Sequence, residues 1–276
     1  MQAMRELLGC DFTSNPSKRK AIVMAWGTWQ HNRVTLGHLQ RCESLQAFKQ
    51  TLCTKPAWVG GFDLPFGLPR ELVEQLGWPT DWLSCIAHYA SLSRAQIRDE
   101  FAGFCNARPV GGKFAHRATD LHAGSSPSMK WVNPPVAFML HAGLPLLLEA
   151  GVYLPGLHDG DSQRVALEAY PGMWAKRVLG KRSYKSDTPA KHTADRLIAR
   201  KDLLHALVWG HEQLPVRLKM TTALQDALLT DASGDSIDAV LCMLQAARAD
   251  QQHQAGQPLY GLPTRLDPLE GWIVGA

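Results

Sequence analysis

The first apolar run of the chain, Leu7-Leu8-Gly9-Cys10, ends on Asp11 and passes into the polar turn Ser14-Asn15-Pro16-Ser17. A second run, Ala21 to Trp26, follows at hairpin distance, and a third, Arg33 to Leu39, follows through Gln30-His31-Asn32. Short runs joined by polar turns predict a three-stranded meander. Ser44 then offers an N-cap, with Leu45, Phe48 and Leu52 at helical spacing, until Lys55-Pro56 stops the helix. Ala57 to Asp63 reads as a fourth strand and again finishes on an acid. The prolines of Leu64-Pro65-Phe66-Gly67-Leu68-Pro69 forbid further ladder pairing. A strand, helix and strand in that order favour a right-handed crossover, which sets the fourth strand parallel to the first. Asp11 and Asp63 then share the carboxyl rim of a sheet, where open α/β sheets hold their sites.

From Arg70 to about Gln163 the pattern turns helical and loop-rich. Helices are expected over Glu71–Leu76, Asp81–Leu92 and from a Ser93 cap to Phe104, then a Gly/Ser/Pro-rich passage over Pro109–Pro135 and a helix over Val136–Gly151. This block reads as an insertion into a single domain spanning 1–276. Strand character returns at Arg164–Tyr170, with Glu168 near its end. Thr188-Pro189 predicts a helix to about Glu212, and a further helix covers Lys219–Thr230. Ser233-Gly234-Asp235-Ser236-Ile237-Asp238-Ala239 opens the last helix, whose apolar stripe is Ile237, Val240, Leu241 and Leu244. Trp272-Ile273-Val274 is expected as an edge strand.

Composition narrows the class. At 45% hydrophobic and 20% charged, the 276-residue chain has the make-up of a globular protein. Its six cysteines include no C-x-x-C pair, so neither a zinc site nor a disulfide scaffold is expected, and reduced thiols in a cytoplasm are. No signal peptide is read at Met1–Glu6. His141, Pro145 and Glu149 interrupt the greasiest stretch, Val136–Leu157, so no membrane span is expected.

The candidate chemistry lies in the acids. Asp235 and Asp238, three apart at a helix start, project to roughly one face. Alone, they read equally as an N-cap and a first-turn acid favoured by the helix dipole. Together with strand-end Asp11 and Asp63 they form a carboxylate cluster, which repels itself unless a cation neutralises it. Hard oxygen donors in that number suit Mg²⁺ or Mn²⁺, and two such ions would activate water against a phosphodiester.

Gly9-Cys10-Asp11, Phe62-Asp63-Leu64-Pro65-Phe66-Gly67-Leu68-Pro69, Leu167-Glu168-Ala169-Tyr170-Pro171 and Asp235-Ser236-Ile237-Asp238-Ala239 resemble the domain-of-unknown-function 429 family of predicted ribonuclease H-like nucleases. Within the ribonuclease H superfamily, the paired helix aspartates are nearest the Holliday-junction-resolvase branch. That branch carries Glu on the fourth strand, where this chain has the shorter Asp63. The resemblance implies an α/β fold with a mixed five-stranded sheet (β-β-β-α-β-α-β-α), strands one, four and five parallel. It also implies a two-metal nuclease with Asp11, Asp63, Asp235 and Asp238 as Mg²⁺ or Mn²⁺ ligands. Glu168 lies outside the usual quartet and is open to three roles: an extra catalytic ligand, a group behind the ligands, or a partner for an arginine.

Electrostatics point the same way. Residues 176–201 hold nine basic side chains against Asp187 and Asp195, a local net charge of +7 in a chain of +4. Lys176, Arg177, Lys181 and Arg182 are therefore candidate contacts to nucleic acid, and Lys113 and Arg117 candidate loop residues over the site. A solvated basic face is the alternative. Two other classes stand beside the nuclease: a silent nucleic-acid-binding or scaffold protein of the same fold, and an actin-like phosphotransferase. The last is disfavoured because no glycine follows Asp11 in Phe12-Thr13-Ser14-Asn15-Pro16 and no second copy of the domain is seen.

Overall fold

The computed structural model describes residues 5–30 and 33–276. The chain is α/β, organised on a mixed sheet of seven strands. In chain order these are β1 (Glu6–Asp11), β2 (Ile22–Gln30), β3 (Arg33–Cys42), β4 (Trp58–Asp63), β5 (Val152–Tyr153), β6 (Asp161–Glu168) and β7 (Arg217–Lys219). They lie in the order β5-β6-β4-β1-β2-β3-β7. The expected meander is present: β2 runs antiparallel to both β1 and β3. β4 runs parallel to β1 and β6 parallel to β4. The expected turn through His31-Asn32 lies outside the described residues.

Alternation along β1 and β2 divides the core between the two faces of the sheet. Leu8, Cys10, Phe12, Ile22, Met24 and Trp26 pack on one face with α1 (Leu45–Thr54) and the helices of the 70–163 block other than Ala118–Ala123, whose Ala123 joins the cluster on the opposite face. That block comprises α2 (Arg70–Gln75), α3 (Trp82–Ser91), α4 (Arg94–Asn106), α5 (Ala118–Ala123) and α6 (Val136–Glu149). The Asp81 and Ser93 side chains cap α3 and α4, as acceptors of otherwise orphaned N–H groups. Leu7, Val23, Ala25, Val34 and Leu36 pack on the other face, under α7 (Pro171–Leu179), α8 (Ala194–Trp209) and α10 (Asp235–Gln254). α9 (Thr222–Thr230) follows β7. Among the described residues no helix is long and apolar enough to cross a membrane.

Four expectations need correction. The sheet has seven strands rather than five, because the two-residue β5 and three-residue β7 join its edges, too short to leave a period in the sequence. Lys219 ends a short strand, Arg217–Lys219, so the helix expected from it starts only at Thr222, capped by Thr221. The helix expected from Thr188 is a 3₁₀ turn at Pro189–Lys191, and α8 begins at Ala194, where Thr193 accepts from the Arg196 amide. Trp272–Val274 is no strand; Val274 gives a single amide hydrogen bond, 2.9 Å, to the Glu168 carbonyl.

Candidate active site

Asp11 and Asp63 close β1 and β4 and are register partners in the parallel ladder, so they stand side by side on one rim. Two residues back, on the same face of the pleat, are Gly9 and Gly61. A Cβ on Gly9 would meet the Ala239 carbonyl oxygen at 1.9 Å, and one on Gly61 the Cys242 carbonyl oxygen at 2.3 Å. The two glycines let the backbone of α10 lie directly on the sheet. Its first turn therefore comes down beside Asp11 and Asp63. α10 is enclosed over most of its length, and Asp235 and Asp238 are buried with it.

Neither helix acid serves as a cap. Asp231 does so: its carboxylate accepts from the amides of Ser233, Gly234 and Ser236, the last at 2.8 Å. Asp238 Oδ1 accepts from the Tyr184 hydroxyl and Oδ2 from Lys185 Nζ. Asp235 Oδ1 accepts from Lys20 Nζ at 2.7 Å, which also holds the exposed Asp187 at 2.7 Å. Asp11 and Asp63, both half-buried, feel only charge and burial.

That crowding shows in their acidities. Burial, then the charges of Asp238 and Asp235, push the Asp11 carboxyl well above the ordinary range. Burial and the Asp238 charge move Asp63 from 3.8 to about 7, with Lys185 partly offsetting them. Burial raises Asp238 too, although Lys185 and Tyr184 work against it. Burial opposes a charged Lys185, yet Asp238, Tyr184 and Asp11 outweigh it and hold the ammonium protonated. The rim sets four acids against two lysines.

Mg²⁺ usually binds through one or two carboxylates, waters and substrate phosphate rather than in an all-protein cage. Asp11 and Asp63 fit that donor set. A cage does not fit: among the described residues no group of three or more His, Cys, Asp or Glu is arranged to hold a metal ion. Both oxygens of Asp238 are already engaged by protein donors.

The remaining candidates separate from this cluster. Glu168 takes the third of its expected roles. Arg117 grips it in a bidentate pair of 2.6 and 2.9 Å, and the Phe66 amide adds a third bond at 2.9 Å. Arg117 is therefore buried rather than covering the site, and also binds Asp120 at 2.8 Å and the Glu270 carbonyl at 2.8 Å. The pair ties α5 and the C-terminal segment to the end of β6. Lys113 is exposed. Lys176 reaches the Gly124 carbonyl at 2.7 Å, Arg177 the Gly275 carbonyl at 3.4 Å, and Arg182 pairs with Asp202 at 2.6 Å. Lys181 is exposed. The residues missed from sequence are Lys20, Tyr184 and Lys185: a lysine within a basic run carries no sign that its ammonium bends onto the acids, and the Lys20 and Lys185 side chains stay 40% and 42% exposed. Comparison with protein families, with curated proteins and with solved structures finds no match to this chain.

Proposed function

We propose that the chain is a divalent-metal-dependent nuclease of ribonuclease H-like fold, related to the domain-of-unknown-function 429 family. The observation that carries the reading is the convergence of Asp11, Asp63, Asp235 and Asp238 at one rim, where Asp11 and Asp63 lack compensating donors. The order and directions of β3-β2-β1-β4-β6 support the fold assignment, since β1, β4 and β6 are the parallel set. Asp11 and Asp63 would hold Mg²⁺ or Mn²⁺, with Asp235 and Asp238 setting the charge around it. A bound ion there would supply Lewis-acid stabilisation of charge on a phosphodiester oxygen. The protein's own part is to bring the acids together, keep them partly dry and present exposed basic residues such as Lys181 and Lys191 to a polyanion.

A second reading, a silent nucleic-acid-binding protein, is favoured by the seating of Tyr184 and Lys185 on Asp238. Incubating labelled single-stranded DNA, duplex DNA, RNA and DNA–RNA hybrid with the protein and Mn²⁺ separates the two. The nuclease reading expects cleavage of at least one substrate, lost in Asp11→Asn and in EDTA. Binding without cleavage of any of them gives the second reading, and neither binding nor cleavage removes both.

A further inference from the structure

We infer that Lys185 is the resident second cation of this site, so that the acids take one divalent ion rather than a pair. The inference rests on the metal-dependent reading above and departs from the two-ion centre that the resemblance implies. Asp238, 0% exposed, gives one oxygen to the Tyr184 hydroxyl and the other to the Lys185 ammonium, and so lacks a free oxygen for a bridging ion. Asp235 gives one oxygen, Oδ1, to Lys20. Four carboxyl groups thus share two ammonium groups, and Asp11 and Asp63 are the two left without one. Asp187, the other partner of Lys20, is 74% exposed and screened by water. Asp11 and Asp63 hold the uncompensated part, and two carboxylates are what Mg²⁺ ordinarily takes from a protein.

Lys185 is also built into its place. Gly234, at φ +81, precedes α10, and a Cβ there would meet the Lys185 Cβ at 2.6 Å. The neighbouring backbone is pinned from three sides. Arg200 Nη1 donates to the Tyr184 carbonyl at 2.8 Å, the Ser186 amide to the Ala232 carbonyl at 3.1 Å, and His192 contacts the Ser186 carbonyl at 2.8 Å. A surface lysine on a loose loop shares none of these restraints. With its backbone held there, Lys185, 42% exposed along its side chain, brings a compact positive charge to Asp238 whether or not metal is present.

The test counts ions, independently of activity. Mn²⁺ is titrated into wild type, Lys185→Met and Lys185→Arg at neutral pH, with the free ion followed by its paramagnetic resonance signal. One ion per chain is expected for wild type and Lys185→Arg, and two for Lys185→Met; Lys185→Gln replaces the methionine variant if circular dichroism shows the latter unfolded. Two ions on wild type, one on the uncharged variant, or none on wild type while the uncharged variant binds would each overturn the inference and leave the metal reading standing. An absence of millimolar binding by all the proteins removes the metal reading itself, and the inference with it.

Discussion

Replacing Asp63 by Asn should stabilise the metal-free protein, and increasingly so as pH rises. Asp63 titrates at about 7 in the folded chain against 3.8 ordinarily, because burial and the Asp238 charge disfavour its ionised form. The folded state therefore binds the proton more tightly than the unfolded one, and stability from this group falls as pH rises between those values. Each tenfold difference in proton affinity is worth about 1.4 kcal/mol, so the gap sets a ceiling of about 4 kcal/mol. Half-burial and relaxation around an ionised carboxylate reduce that to about 2 kcal/mol. Asn keeps the shape and removes the titration. In EDTA, Asp63→Asn should melt near wild type at about pH 4 and about 4 °C above it at about pH 8, for a chain of this size. Mn²⁺ should reverse the order at about pH 8, since a hundredfold excess over the dissociation constant stabilises only the wild type, by about 2.7 kcal/mol. Melting curves by circular dichroism at both pH values, with and without Mn²⁺, give the comparison. A variant that melts below wild type by the same margin at both pH values would show that Asp63 is a structural acid, and the reasoning would fail.

Three other substitutions probe how the site is held. Gly9→Ala should cost about 3 kcal/mol by urea unfolding, because its methyl has no room under the α10 backbone. Arg117→Met leaves Glu168 and Asp120 buried without their cation and should cost about 3 to 5 kcal/mol at neutral pH. Protonation of Glu168, which burial already pushes up, should shrink that loss in mild acid; a loss equal at both pH values would contradict the charge argument. Asp231→Ala should cost about 1 kcal/mol as a lost helix cap, with Mn²⁺ affinity unchanged.

Much of the frame was legible because it follows from strong local signals. The apolar runs of β1 and β2, the Ser44 cap and the proline stop after Asp63 each acted as the pattern implied. The gathering of four acids was legible from strand ends and helix start alone. Their neutralisation was not, since Lys20 and Lys185 reach them across 215 and 53 residues of sequence. The same limit applies to Glu168, whose partner Arg117 lies 51 residues away in a block read only as helices and loops. The short edges β5 and β7 were missed for a different reason: tertiary contact, not pattern, makes them strands.

The central claim is that Asp11 and Asp63 form the open half of a cation site. Crystals soaked in millimolar Mn²⁺, with data collected at the manganese absorption edge, test it most directly. The account predicts one anomalous peak between the Asp11 and Asp63 carboxylates, with Lys185 still on Asp238. A map with no peak at these acids, from a protein whose melting temperature Mn²⁺ leaves unchanged, would contradict it.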